Sequence, residues 1–244
     1  MQDLLERVRL SPIAGGQDFR QVLLERLDKY RIRIPPELPN WSHGVDFDDA
    51  GKIALDEGIP LAYVPPAEIV TKILAAPSAA GRRQVLADET SAITNACQVI
   101  VTAAKVTAAF PEYTPLAQAA VRAFADGHHQ AAQSLAVNVT ESFVREWVAE
   151  TYRKVKEHVL ESDPAQADPN EPWIPSRLRL EMMILPLLTF YADWFPNRGT
   201  PAPVELSRHV TAHQATAEHY TPLNALVAVM LMTSLLAGFT DAMT

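Results

Sequence analysis

Apolar residues along the chain recur at three- and four-residue steps, and this spacing predicts helices almost throughout. Across residues 19 to 30, Phe19, Val22, Leu23, Leu27 and Tyr30 form one amphipathic stripe. Residues 31 to 41 (RIRIPPELPNW) carry three prolines, which remove backbone donors and fix φ, so an extended connector is expected there. Pro66 suits the first turn of a helix whose inner face is Ile69, Val70, Ile73 and Leu74 and which ends before Pro77, with Ser78 placed to cap the next one. From there Val85, Leu86, Ile93, Cys97, Ile100, Val101 and Ala104 continue a helical pattern toward Phe110, and Thr114-Pro115 marks another start. The longest stripe runs through Ala132, Leu135, Ala136, Val139, Phe143, Trp147, Thr151, Val155 and Val159, with Arg145, Arg153, Lys154 and Lys156 off it, and predicts a central helix.

Residues 161 to 176 (ESDPAQADPNEPWIPS) hold four prolines among acidic side chains and predict a solvated loop between two helical blocks. Beyond it the pattern gives a helix near residues 177 to 191, another near 204 to 216, and a last one capped by Thr221 with Pro222 at its first position. The most apolar stretch, residues 225 to 239 (ALVAVMLMTSLLAGF), is shorter than the roughly 18 to 20 residues a bilayer requires and contains Thr233 and Ser234, so it reads as a buried helix and not an anchor. No segment alternates convincingly, although a short hairpin within residues 31 to 64 stays open. The expected fold is therefore all-α, a helical bundle. Residues 1 to 110 are expected to form a mainly helical N-terminal region of unknown role, and residues 111 to 244 the bundle proper, unless the two make one continuous domain.

Composition narrows the classes. The chain has 244 residues, 48% hydrophobic and 20% charged, which suits a globular protein with a real core and excludes wholly disordered or collagen-like chains. Its one cysteine, Cys97, can make neither an internal disulfide nor a thiolate zinc site. The first residues place Asp3, Glu6, Arg7 and Arg9 ahead of any apolar run, unlike a signal peptide, so a cytoplasmic protein without a membrane partner is expected. The net charge of -8 argues against broad binding of long nucleic acid and leaves room for a local basic cleft.

The most informative segment is residues 206 to 236 (LSRHVTAHQATAEHYTPLNALVAVMLMTSLL). Arg208 is followed by the polar His209 and, after three more residues, by His213, near the start of a predicted helix and ahead of a strongly apolar one. This arrangement resembles the arginine, polar residue, three residues, histidine motif of the HEPN superfamily, the all-helical higher eukaryotes and prokaryotes nucleotide-binding domains. The resemblance covers the C-terminal half at most. It implies a HEPN-like C-terminal bundle, a homodimer through the C-terminal helices with Arg208 and His213 facing a shared cleft, and an activity without cofactor or metal. That activity would be endoribonuclease cleavage of RNA to 2′,3′-cyclic phosphate and 5′-hydroxyl ends, in a toxin or phage-defence setting that allows a regulatory protein partner.

The residue types suit that chemistry on their own terms. RNA cleavage without metal needs a group titrating near neutrality to take the 2′-hydroxyl proton, and a fixed cation to stabilise the phosphorane. His213 and Arg208 supply them, with His209 assisting. Five helical positions separate Arg208 from His213 by about 140°, so the two are expected to flank a phosphate from different sides, whereas His209 and His213 share a face, where His209 would orient His213 or touch substrate. Tyr220 and Asn224, near the last helix, are further candidates for substrate contact. The low net basicity favours a small structured RNA held in a local cleft.

Other readings compete. His209, His213 and His219 could be zinc ligands, though Val210 stands where a general-base glutamate is expected. Residues 46 to 57 (DFDDAGKIALDE) partly match a calcium loop, with Asp46, Asp48 and Glu57 at ligand positions and Gly51 at the turn, but Ala50 lacks a ligand and a helix N-terminus explains the acids equally. His128 and His129 suit a helix start, and Cys97 falls on an inner stripe. Asn138-Val139-Thr140 matches a glycosylation acceptor but lies in a predicted helix. A non-catalytic module that uses the apolar final helix to dimerise or to dock a partner is the alternative from a different functional class.

Overall fold

The computed structural model describes residues 38–42, 44–148, 174–195, 199 and 201–243. The helix expected over residues 19 to 30, most of the acidic loop and the far half of the long stripe lie outside them. Every regular element among the described residues is helical: α1 (Phe47–Glu57), α2 (Ala67–Ala75), α3 (Ala79–Asp88), α4 (Thr90–Thr102), α5 (Ala104–Ala109), α6 (Thr114–Ala125), α7 (His129–Phe143), α8 (Ile174–Phe190), α9 (Arg208–His213) and α10 (Pro222–Met243). The protein is all-α, as the periodicity predicts.

Local chemistry sets most of the boundaries. Ser78 Oγ accepts from Gly81 N at 3.1 Å and starts α3, and Thr221 Oγ1 accepts from Asn224 N at 3.1 Å ahead of Pro222. Among the described residues of the range 31 to 64 there is no hairpin, because its centre is α1. Asp46 caps that helix, its carboxylate accepting from Asp48 N at 2.9 Å and Asp49 N at 3.1 Å. The calcium-loop reading falls with this, since the twelve residues are a capped helix and Glu57, its last ligand, is paired with Arg82. The single pattern expected from Val85 to Phe110 is three helices, broken where Glu89 and Ala103 leave helical geometry. The helix expected over 204 to 216 is six residues long, stopped by extended backbone at Gln214.

The centre of the bundle is α10, not the helix through Phe143. Every residue of α10 from Asn224 to Thr240 is buried, with α7, α4, α8, α6 and α5 packed around it. Its sequence allows this, since no charge occurs between Leu223 and Thr240 and the hydroxyls are satisfied: Thr233 and Thr240 donate back to Val229 O and Leu236 O, and Ser234 donates to Ala62 O. By length and composition α10 could cross a membrane, but here 94% of its most apolar window is enclosed by the rest of the chain. One hydrophobic core runs from Leu38 to Phe239, across the boundary expected at residue 110.

A loop takes part in that core. Residues 58 to 65 are all buried although none is helical, because Pro60, Pro65 and Pro66 interrupt the backbone donors. Side chains replace the missing secondary-structure bonds: Asn40 donates to Leu61 O at 3.0 Å and Pro65 O at 2.8 Å and accepts from Tyr63 N at 2.7 Å, and Trp41 Nε1 donates to Leu61 O at 2.7 Å. Elsewhere in the core, Phe110, Phe143, Trp147 and Phe239 pack edge to face at centroid separations of 5.1 to 5.2 Å around Phe143 and Phe110. There α7 widens into a π-turn over Val144–Val148, which carries Arg145 just past the end of the regular helix.

Candidate active site

Helix α9 is held at both ends by residues outside it. Ser207 Oγ accepts from Val210 N at 3.4 Å, while Ser207 N–H donates to His219 Nε2 at 3.2 Å. That leaves His219 Nδ1 to carry the proton and donate to Pro203 O at 3.2 Å, so His219 is a neutral, buried brace. Burial, reinforced by the positive Arg83 nearby, lowers its pKa below the ordinary histidine value. Tyr220 donates to Thr211 O at 2.7 Å and accepts from Ser134 Oγ at 3.2 Å. Asn224 donates to His219 O at 3.0 Å and accepts from Arg83 at 3.4 Å. The structure thus places Tyr220 and Asn224 in the scaffold beneath α9, with their polar atoms engaged inside the protein.

Arg208 and His213 sit at the first and last positions of α9, and they meet. Arg208 Nη1 lies 2.9 Å from His213 Nε2. The rotation of about 140° expected between them does not keep them apart, because the long arginine stem runs along a helix of less than two turns. The same guanidinium faces the carboxylate of Glu141 on α7, Nε to Oε2 at 3.3 Å and Nη2 to Oε1 at 3.3 Å. Arg145 donates to Oε1 of Glu141 at 2.8 Å, and the phenol of Tyr191, just past α8, is hydrogen-bonded to that carboxylate as well. Burial alone would raise the Glu141 pKa, but the Tyr191 hydrogen bond and the charges of Arg208 and Arg145 outweigh it and hold the carboxyl below its usual range. Burial and the Glu141 carboxylate together push the Tyr191 phenol well above its usual range, which keeps it a donor.

The arrangement is a relay of orientation. Glu141 fixes Arg208 through two parallel contacts, Arg208 fixes the His213 ring, and His213 itself is exposed. Arginine has only donors, so in this contact His213 accepts through Nε2. The bond to His213 therefore comes from Arg208 and not from His209. The His209 ring stands 6.0 Å from that of His213, with Asp193 Oδ1 3.9 Å away and the Phe195 ring at 6.4 Å. Burial and the neighbouring Arg208 lower the His209 pKa.

The zinc triad is not assembled, since both ring nitrogens of His219 are bound to backbone groups. Among the described residues no cluster of three or more His, Cys, Asp or Glu side chains is placed to hold a metal ion. Cys97 is fully buried, and burial pushes its thiol up to about 12, the state of an inert core residue. His128 precedes α7 and His129 begins it, in keeping with a helix-start role.

Sequence reasoning missed Glu141, Arg145 and Tyr191. Glu141 and Arg145 carry a local signal, an acid and a base four residues apart on a helix, but that pairing is common on solvated faces. Nothing local links residue 141 to residue 208. No family model, no curated protein and no solved structure matches this chain.

Proposed function

We propose that the chain is a metal-independent endoribonuclease of HEPN type, cleaving RNA to 2′,3′-cyclic phosphate and 5′-hydroxyl ends at the Arg208–His213 pair. The observation that supports this reading best is the 2.9 Å contact between Arg208 Nη1 and Nε2 of the exposed His213, with Arg208 anchored from behind by Glu141. A phosphodiester entering the site competes for Nη1 as a charged acceptor and draws the guanidinium from the imidazole. His213 Nε2 is then free to take the 2′-hydroxyl proton. The 2′-oxygen bonds to phosphorus, the phosphorane charge falls on Arg208, and the bond from phosphorus to the 5′-oxygen breaks. The imidazolium returns its proton to that leaving oxygen.

The alternative, a module that docks through its apolar last helix, loses its carrier: α10 is enclosed by its own chain and ends with Met243 exposed.

The test is cleavage of total cellular RNA by the purified protein in EDTA, native against His213→Ala. Metal-resistant cleavage with cyclic-phosphate ends that disappears in the variant is the expected result. Equal products from both proteins, or none from the native protein, overturn the assignment.

A further inference from the structure

Gln133 is a fully buried polar side chain near the start of α7. Its Nε2 donates to Thr211 Oγ1 of α9 at 3.0 Å. Its Oε1 is buried too, and among the described residues it meets no hydrogen-bond donor. Glutamine is seldom enclosed so completely, and a buried amide oxygen without a partner costs stability that an apolar side chain of the same size would not. The amide is therefore a poor way to fill this space and a good way to hold Thr211.

Thr211 lies between Arg208 and His213 in α9, and each of its polar atoms is engaged. Its N–H donates to Ser207 O at 3.1 Å, its carbonyl accepts from Tyr220 at 2.7 Å, and its hydroxyl accepts from Gln133. Ser134, next to Gln133 on α7, supports Tyr220 by donating to its hydroxyl at 3.2 Å. Gln133, Val137 and Glu141 recur at four-residue steps and line one ridge of α7, while Arg208 and Thr211 are a three-residue step apart on one face of α9. Gln133 meets Thr211 and Glu141 meets Arg208, so α9 is attached to α7 at two points and runs against its direction. A helix of six residues has no stability of its own, and the contact of Arg208 with Glu141 alone would leave α9 free to turn about the guanidinium.

We propose that Gln133 is a positioning residue of the α9 site, holding Thr211 so that Arg208 meets Glu141 and His213 at once. A turn of α9 about its axis by one residue, about 100°, would carry the His213 ring away from Nη1. Gln133 acts through Thr211 and not on the substrate, from which its burial separates it. The proposal rests on the endoribonuclease reading for the reaction that needs this geometry, and on the bonds of Gln133 and Thr211 for the geometry itself.

The test compares Gln133→Leu, Thr211→Val and the double variant with the native full-length protein in EDTA. Circular dichroism establishes folding, and Thr211→Val, which breaks the same bond from the other side at nearly constant shape, carries the test if Gln133→Leu does not fold. The Nε–H signal of Arg208 in a proton–nitrogen correlation spectrum, identified by its absence from Arg208→Lys, reports the contact with Glu141 and needs no activity. It is expected to move to the position of an exposed arginine in each variant. On an RNA that the native protein cleaves, kcat is expected to fall about ten- to hundred-fold with KM within about three-fold, the scale of a displaced catalytic group. The double variant should match the slower single variant within about two-fold, since all three lose one bond. A merely structural glutamine would change Tm and leave the Arg208 signal and kcat as they are. An unmoved Arg208 signal, an unmoved kcat, or additive losses in the double variant overturn the positioning role. The two proposals fail separately. His213-dependent cleavage with a native Arg208 signal in Gln133→Leu removes the positioning role alone, and a moved Arg208 signal without cleavage by the native protein removes the catalytic reading alone.

Discussion

Arg208 donates from Nη1 to His213 Nε2 across 2.9 Å while its other two nitrogens face the oxygens of Glu141 at 3.3 Å. One planar side chain therefore joins α7 to both ends of α9. Only a forked donor can do this, because the three contacts leave the guanidinium in different directions within its plane.

Arg208→Lys is accordingly expected to fail as a conservative change. An ammonium can serve Glu141 or approach His213, but it cannot hold both in one orientation. RNA cleavage in EDTA should fall about 10² to 10³-fold, the usual scale for one lost transition-state donor. Glu141→Gln keeps the shape and removes the charge, and a smaller loss of about ten-fold is expected from a loosened Arg208. Initial rates for both variants, beside circular dichroism to establish folding, check this. A Glu141→Gln protein as fast as native would show that the carboxylate does not position the arginine.

His219 makes stability depend on pH. Its folded pKa is lowered by burial, so near and below the unfolded value of about 6.5 the unfolded chain binds a proton that the folded chain resists. Its stabilising contribution is thus complete above about pH 6.5 and is lost as pH falls toward the folded pKa. The partly buried His209, lowered in the same direction, adds to the trend. Urea midpoints at pH 7.5 and 5.5 should fall on acidification, at no more than about 1.4 kcal/mol per pH unit for each group. In His219→Gln the fall should be shallower, and an unaltered slope would remove His219 as its source.

Asn40 holds the buried loop by three hydrogen bonds, to Leu61 O, Pro65 O and Tyr63 N. Asn40→Ala leaves Tyr63 N–H and Pro65 O in the core without that partner. A loss of about 3 kcal/mol in unfolding free energy is expected, since each unsatisfied buried group costs about 1 to 3 kcal/mol. Denaturant unfolding measures it directly, and a change below about 0.5 kcal/mol would mean that the loop reorganises to satisfy itself.

Gly238 is where α10 comes closest to its surroundings. A Cβ there would stand 1.6 Å from Met183 Sδ and 2.8 Å from Tyr63 Cε2. Gly238→Val forces a branched side chain between two buried residues and is expected to cost about 3 kcal/mol, the upper end for overpacking, despite the entropy gained by removing a helical glycine. Thermal unfolding should show a lower Tm, and an unchanged Tm would mean that Met183 swings aside without cost.

Much of the fold is legible because its signals are local. Ser78 and Thr221 cap the helices their sequence positions suggest, Pro66 opens α2, and Cys97 lies inward on its stripe. The misplaced features depend on partners far along the chain. The hairpin left open over residues 31 to 64 yields to a helix and a buried loop that is stable only because Asn40, Trp41 and Ser234 supply its hydrogen bonds. The identity of the central helix follows from which apolar faces are enclosed, and α10 has no polar face to leave outside, whereas α7 carries Glu141 and Arg145 at its edge.

The sequence by itself determines that the chain is helical, where most helices begin, that α10 must be buried, and which arginine and histidines stand just ahead of its start. Those properties follow from backbone propensity, capping and hydrophobic period, all read within a few residues. Tertiary structure decides what those side chains meet. It brings Glu141 and Tyr191 to Arg208, turns His219, Tyr220 and Asn224 into supports, and sets Phe195 beside His209. Charge pairing and ring contact depend on distance in space, and residues 141 and 208 become neighbours only when α7 and α9 pack together.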